Sequence, residues 1–464
     1  MLFSSLTFLF CFLPVTVGLY YLVRRELRNI VLLLASIFFY AWGEPRYLPV
    51  IFTTITISYI GALALGKFKY KKLLLTLFIL LDLSLLFYFK YTNFFLENLN
   101  LIFHKQWSLK VVLPLGISFY TFQALSYLVD VYRGQVKAQK NYLKIALYIC
   151  LFPQLIAGPI VKYHDISDQI DNRKETVDKV YYGIRRFIIG LAKKVLIANT
   201  LGGVADKVFA QSPSEFGAGI AWLGAVSYAL QLYYDFSGYS DMAIGLGSIF
   251  GFKFLENFNY PLVSKSITEF WTRWHISLST WIRDYLYIPL GGSRVSTGRK
   301  YFNLIFVMLI IGLWHGASWN FIIWGLWWGI FVILEKILQL KEKRRNIFTL
   351  FVSILYVNFV CALNAPIFNC KNLMQTWLYI QSMFNIVTVK DINYGILYYL
   401  DRITLVCFVV SVLCATSLFK NILSWGKKWK IISAVVDIWL FILLFFSCMQ
   451  LAATTYNPFI YFRF

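Results

Sequence analysis

The stretch Ile311-Gly-Leu-Trp-His-Gly-Ala-Ser-Trp-Asn320 sets one histidine, His315, among tryptophans and glycines inside an apolar run. An ionisable side chain at membrane depth is costly, so its presence marks a functional site. Upstream, Phe270-Trp-Thr-Arg-Trp-His-Ile-Ser-Leu-Ser279 carries a second such residue, His275, in a chain with only four histidines. Composition gives the setting. The chain is 59% hydrophobic, 19% aromatic and 14% charged, whereas soluble domains run near half apolar and a quarter charged. The sequence therefore describes an all-α polytopic membrane protein.

Apolar runs near the roughly twenty residues needed to cross a bilayer lie at 5–23, 30–43, 48–66, 73–89, 111–130, 187–206, 217–235, 301–316, 319–337, 347–364, 396–417 and 431–452. They predict about twelve spans. Basic clusters at Arg24–Arg28, Lys67–Lys72, Arg133–Lys140, Lys341–Arg345 and Lys420–Lys430 each follow an odd-numbered span. Cytoplasmic loops collect lysine and arginine, so this pattern places both termini on the extracytoplasmic side. The net charge of +22 is loop asymmetry and not the single basic face of a nucleic-acid binder.

Two regions break the serpentine. Residues 141–160 are apolar but flanked by basic stretches, which fits a re-entrant or interfacial segment. Residues 236–300 form the longest stretch of mixed polarity, a cytoplasmic-side region whose irregular backbone is tolerated only if buried or lining a cavity. No internal repeat appears, and residues 1–464 read as one transmembrane domain with an extracytoplasmic tail at 456–464.

Seven cysteines lie mostly in apolar runs without C-x-x-C spacing, so no metal or redox site is expected. Leu6–Val23 lacks a basic n-region and a small-residue cleavage site, and reads as a first span and not a signal peptide. As a helix, residues 271–285 would place Trp271, Trp274, His275, Leu278, Trp281, Ile282 and Tyr285 on one face, with Arg273, Ser277, Thr280 and Asp284 opposite. That pattern fits an interfacial aromatic belt with a core histidine equally well. Gly312/Gly316 and Gly325/Gly329 are G-x-x-x-G steps that let helices approach closely, so His315 also has a structural reading.

Other matches carry less. Gly245-Leu-Gly247-Ser-Ile-Phe-Gly251 misplaces the third glycine of a dinucleotide fingerprint. Asp235-Phe-Ser-Gly-Tyr-Ser-Asp241 is not a nucleophile elbow, and its acids are expected to order a turn, bind an arginine or position His275. His104 and His164 fall in polar loops.

Several longer motifs carry a resemblance: Leu115-Gly-Ile-Ser-Phe-Tyr-Thr-Phe122, Pro153-Gln-Leu-Ile-Ala-Gly-Pro159, Tyr234-Asp-Phe-Ser-Gly-Tyr-Ser-Asp-Met-Ala-Ile-Gly245, Glu256-Asn-Phe-Asn-Tyr-Pro261, Glu269–Ser279, Arg283–Arg294 and Trp314-His-Gly-Ala317. Over nearly its whole length the chain resembles the membrane-bound O-acyltransferase (MBOAT) family, in the bacterial branch that O-acetylates extracytoplasmic polysaccharides such as alginate or peptidoglycan. The resemblance implies a cytoplasmic funnel for the acyl donor, an extracytoplasmic funnel for the acceptor and a thin floor between them. It makes His315 the catalytic histidine and His275 the second site position.

Chemistry agrees with that reading. Moving acetyl from a thioester to a hydroxyl needs a base, which a histidine supplies near neutral pH. His315 is the expected base, and His275, with Asn320, is expected to orient the donor carbonyl or stabilise its oxyanion. The phosphates of acetyl-CoA, the expected donor substrate, call for Arg273, Arg283 and Arg294. No permanently bound cofactor is expected. The tail Tyr456-Asn-Pro-Phe-Ile-Tyr-Phe-Arg-Phe464 resembles the terminal Phe-Ile-Tyr-Phe motif of a small peptide serving teichoic-acid D-alanylation, which suggests Tyr461 as an acyl carrier; an aromatic interfacial anchor is the other reading.

The expected partners are the bilayer, an extracytoplasmic polysaccharide and a periplasmic SGNH-type transferase, in the bacterial inner membrane. D-alanyl transfer to teichoic acid is the alternative within the family. From another class, a proton-coupled transporter would show internal repeats, and none is seen.

Overall fold

The computed structural model describes the chain except residues 339–345, 388, 390–393, 419–429, 458 and 461–464. Its helices run in the order α1 (Leu13–Leu22), α2 (Arg28–Gly43), α3 (Leu48–Lys67), α4 (Lys71–Phe103), α5 (Ile117–Tyr132), α6 (Tyr142–Cys150), the single turn α7 (Phe152–Leu155), α8 (Tyr163–Asn172), α9 (Val177–Ala192) and α10 (Asn199–Phe209). They continue as α11 (Ala218–Ile249), α12 (Ile267–Arg273), α13 (Ile276–Ile282), α14 (Thr297–His315), α15 (Trp319–Ile337), α16 (Ile347–Asn369), α17 (Leu373–Met383), α18 (Ile396–Tyr399), α19 (Arg402–Cys414) and a last helix, Lys430–Ala453. No strand occurs among the described residues.

Among these residues, seven helical stretches are long and apolar enough to cross a membrane: Arg25–Gly43, Pro45–Lys67, Lys71–Phe103, Val177–Phe209, Trp319–Ile337, Ile347–Asn369 and Ile431–Ala453. Phe8–Leu22 and Arg402–Cys414 are shorter apolar helices. The run at 111–130 becomes α5, buried along almost all of its 16 residues, so its apolar character serves packing inside the protein. The runs at 187–206 and 217–235 are parts of longer helical stretches, the second continuing to Ile249 within the 32 residues of α11.

The chain divides into two compact units, and α9 and α11 each contribute residues to both. The first comprises Met1–Phe187 and Tyr239–Glu256. Its core includes a cluster of Phe3, Phe8, Phe12, Phe39 and Phe152 rings at centroid distances such as 5.0 Å for Phe3–Phe8 and 5.3 Å for Phe12–Phe152, geometry that adds to their area burial. The segment at 141–160, expected to be re-entrant or interfacial, is α6, a break at Leu151 and the turn α7, buried from Ile145 onward. Backbone groups at the break find internal partners, as where Ser36 Oγ accepts from the Phe152 amide at 3.0 Å.

Ile188–Gly238 and Asn257–Phe464 form the second unit. It contains a buried ion pair, Lys194 Nζ to Asp235 Oδ1 at 2.8 Å, with Asn199 Oδ1 also accepting from Lys194 at 2.8 Å. The chain end folds back onto it. Tyr456 donates to Asp206 Oδ2 at 2.6 Å and the Ile460 amide donates to Asp235 Oδ2 at 2.8 Å, with Phe459 and Ile460 buried.

Two local expectations are corrected. Asp235 and Asp241 do not order a turn; both lie within α11. Asp235 pairs with Lys194, and Asp241 takes Arg186 at 2.6 Å, the arginine partner that was the other expectation. Nor is 271–285 one helix. The chain leaves helical geometry after Arg273, passes through His275 at φ +43°, and resumes helix at Ile276. Ser277, expected on the polar face, is buried.

Candidate acyl-transfer site

His315 is the last residue of α14, and the turn after it leads directly into α15. The two helices are held face to face through glycines. A Cβ on Gly312 would lie 2.2 Å from the Phe321 carbonyl oxygen, one on Gly325 2.4 Å from that of Met308, and one on Gly316 2.0 Å from the Phe321 ring. The small-residue steps are thus packing devices, and their close approach presents His315 at the end of the helix pair. His315 is 4% exposed, and its ring meets Trp314 at 5.0 Å, Trp324 at 4.8 Å and Phe368 at 5.6 Å.

His275 is fully buried. It caps the start of α13 in left-handed geometry, φ +43° and ψ 54°, which costs a non-glycine residue free energy and persists only where neighbours over-determine it. Those neighbours are two backbone bonds, Asn259 N to Arg273 O and Ile276 N to Asn257 O, both 2.9 Å. The imidazole packs edge-on against Phe236 at 4.6 Å and against Trp314 at 6.0 Å. Trp314 therefore touches both histidines, which the fold brings into one aromatic-walled site.

The α12 segment leading to His275 is itself anchored. Glu335, a buried acid on α15, accepts from the Ile267 amide, from the Thr268 amide at 2.9 Å and from Thr268 Oγ1 at 2.8 Å. A carboxylate at the first turn of a helix satisfies amides that have no intrahelical partner. Phe270 stacks on Trp328 at 5.2 Å and Trp271 meets Trp324 at 6.0 Å, tying the same segment to α15.

The other expected site residues are placed differently. Asn320 Nδ2 donates to Cys370 O at 2.8 Å and Thr376 Oγ1 at 3.2 Å, an internal bracket. Arg273 bonds Glu269 at 2.8 Å and the Asn259 carbonyl at 3.2 Å; Arg283 bonds Asp284 at 2.7 Å; Arg294 is exposed. Tyr461 lies outside the described residues. No group of three or more metal-ligating side chains occurs among the described residues.

Sequence reasoning gave no role to Asn257 or Glu335. Asn257 stood inside the quoted run Glu256–Pro261, and Glu335 is an acid in an apolar span, which is itself a signal. Asn257 is fully buried, and its Oδ1 receives the Ser277 amide at 3.2 Å, Ser277 Oγ at 2.9 Å and His275 Nδ1 at 3.0 Å.

An apolar helical body with a buried histidine pair defines a membrane-embedded enzyme class, and sequence comparison names it. The membrane-bound O-acyltransferase family matches residues 64–378, and the chain belongs to that family. It is a multi-pass membrane acyltransferase. Among relatives, the protein named probable alginate O-acetylase AlgI of Azotobacter vinelandii is 41% identical over 504 aligned residues, covering 100% of both chains. The peptidoglycan O-acetyltransferase of Helicobacter pylori is 41% identical over 72% of this chain and 70% of its own. The teichoic acid D-alanyltransferase of Bacillus subtilis is 29% identical over 50% of this chain and 60% of its own.

Proposed function

We propose that this protein takes acetyl from cytoplasmic acetyl-CoA and passes it across the inner membrane for O-acetylation of an extracytoplasmic polysaccharide of the alginate or peptidoglycan kind. The observation that carries the reading is the burial of His275 and His315 around one tryptophan, Trp314. An incoming hydroxyl attacks the thioester carbonyl. The carbon–oxygen bond forms as the carbon–sulfur bond breaks, His315 takes the hydroxyl proton, and the proton leaves with the thiolate. A water-poor aromatic site protects the thioester from hydrolysis.

Arg273, Arg283 and Arg294 are the proposed contacts for the donor's phosphates, with Asn320 as a further donor-binding group. Tyr461 is the proposed acyl carrier, handing acetyl to a periplasmic SGNH-type partner. Its support is local: Ile460, the preceding residue, donates to Asp235, whose chain neighbour Phe236 packs on His275. Relatives named for O-acetylation support acetyl over D-alanine, since they are more similar and match a larger share of the chain than the D-alanyltransferase does. Membership of an acyltransferase family replaces the transporter reading.

The test is acetyl transfer by the purified protein in liposomes, and glycan acetylation when the periplasmic partner and the polysaccharide are added. His315→Ala should lose well over tenfold, about 1.4 kcal/mol, while inserting and folding normally; activity within tenfold of the parent would end the base assignment. Tyr461→Phe, which keeps the ring, should abolish glycan acetylation and any acetyl adduct on the C-terminal peptide. Full activity in that variant would leave Tyr461 as an anchor.

A further inference from the structure

The hydrogen bonds around Asn257 determine which nitrogen of His275 carries its proton. A backbone amide can only donate, and the Ser277 amide reaches Asn257 Oδ1 at 3.2 Å, so that end of the Asn257 amide is its carbonyl oxygen. Ser277 Oγ reaches the same oxygen at 2.9 Å, closer than the 3.5 Å from Ser277 Oγ to His275 Nδ1. A carbonyl oxygen can only accept. His275 Nδ1, 3.0 Å away, must therefore be the donor. In a neutral imidazole the other nitrogen, Nε2, then holds the lone pair. Asn257 and His275 are both fully buried, so bulk water does not compete for these bonds.

We propose that Asn257 is a positioning residue: it holds His275 as the Nδ1–H tautomer and so makes Nε2 a proton acceptor. A lone pair cannot donate a hydrogen bond to a developing oxyanion, which was one of the two roles the sequence suggested for His275, beside orienting the donor carbonyl. It can receive one from a hydroxyl. The backbone bonds flanking His275 support the same assignment. Ile276 N to Asn257 O and Asn259 N to Arg273 O lock residues 257–259 against 273–276, and the left-handed His275 is retained where its ring meets the Asn257 side chain. The functional consequence rests on the acyl-transfer reading. The hydroxyl proton released as the acyl–oxygen bond forms has imidazole acceptors on both His275 and His315, and it departs with the leaving thiolate.

Four histidines make the tautomer observable by 15N NMR of the full, histidine-labelled protein in bilayers, with the His275 signals identified by their loss in His275→Gln. The expected wild-type spectrum shows His275 neutral, with a protonated Nδ1 and a bare Nε2. Asn257→Leu, which removes the acceptor at similar volume, should lose that preference and at least tenfold in transfer. Asn257→Asp keeps an acceptor oxygen; it should retain the tautomer and most of the transfer, with the acid limb of the pH–rate profile moved upward because a carboxylate favours the imidazolium.

If Asn257→Leu does not fold, Ser277→Ala keeps the orienting backbone amide and should leave the tautomer unchanged. A wild-type His275 protonated on Nε2, an unchanged tautomer in Asn257→Leu, or a switch in Ser277→Ala would each overturn the proposal. Retained transfer by His315→Ala would instead end the His315 base assignment and leave the tautomer result standing.

Discussion

His164 is a residue the sequence left in a polar loop, and the fold gives it a partner. It sits at the head of α8 with Nδ1 2.9 Å from Oδ2 of Asp130, whose side chain is fully buried, and Nε2 3.3 Å from Asp165 Oδ1. The hydrogen bond to Asp130 raises its pKa above the ordinary 6.5, opposed chiefly by partial burial and less by Lys162, with the charges of Asp130 and Asp165 adding to the rise. A raised folded-state value means that the pair's stabilisation is fully present below pH 6.5 and is lost as pH climbs through the folded value. His164 is partly exposed, so the expected gain is small, about 0.5 kcal/mol. Thermal melting of the parent should fall relative to His164→Gln as pH rises from about 6 to about 9. Parallel melting curves for the two proteins across that range would remove the pair from the stability account.

At the scale of elements, the pair α14 and α15 shows how close packing serves chemistry. A methyl on Gly325 meets the Met308 carbonyl oxygen at 2.4 Å, whereas one on Gly329 meets the Ile305 side chain at 3.3 Å. Backbone cannot yield as a side-chain tip can. Gly325→Ala should therefore push α15 from α14, cost about 1–3 kcal/mol and reduce transfer by displacing His315. Gly329→Ala should stay within about 0.5 kcal/mol of the parent and keep its activity. Equal melting temperatures and equal transfer in the two variants would show that the helix approach does not place the histidine.

The break between α12 and α13 belongs to this scale too. Helical spacing of Trp271, Trp274, His275 and Leu278 reads as one continuous face, and these side chains are indeed buried. Periodicity reports burial, however, and contains no term for the long-range bonds from Asn257 and Asn259 that interrupt the helix. Glu335 anchors the same segment from more than sixty residues away in sequence, which no local pattern encodes.

For the whole molecule, the remaining expectation is orientation. From the basic clusters, 236–300 is expected on the cytoplasmic side, where a charged donor would meet Arg273, Arg283 and Arg294. Single cysteines introduced at exposed positions between 265 and 299, in a background free of native cysteines, should react with an impermeant maleimide only from the cytoplasmic face. Labelling only from the opposite face would reverse the topology and displace the proposed donor site.

What the sequence determined by itself is the class of molecule and the presence of two histidines, His275 and His315, in apolar surroundings. Hydropathy over whole segments is set by composition, and a histidine inside an apolar run is visible without any contact being known. The long motifs also sufficed to identify the acyltransferase family. Tertiary structure decided, among the described residues, which apolar runs are packed inside, as for α5. It decided that Asp235 and Asp241 lie within a helix, paired with Lys194 and Arg186, and that His275 sits at a helix break with its Nδ1 on Asn257. Each of these depends on contacts between residues distant in the chain, whose free energies outweigh local propensity and are absent from any window of sequence.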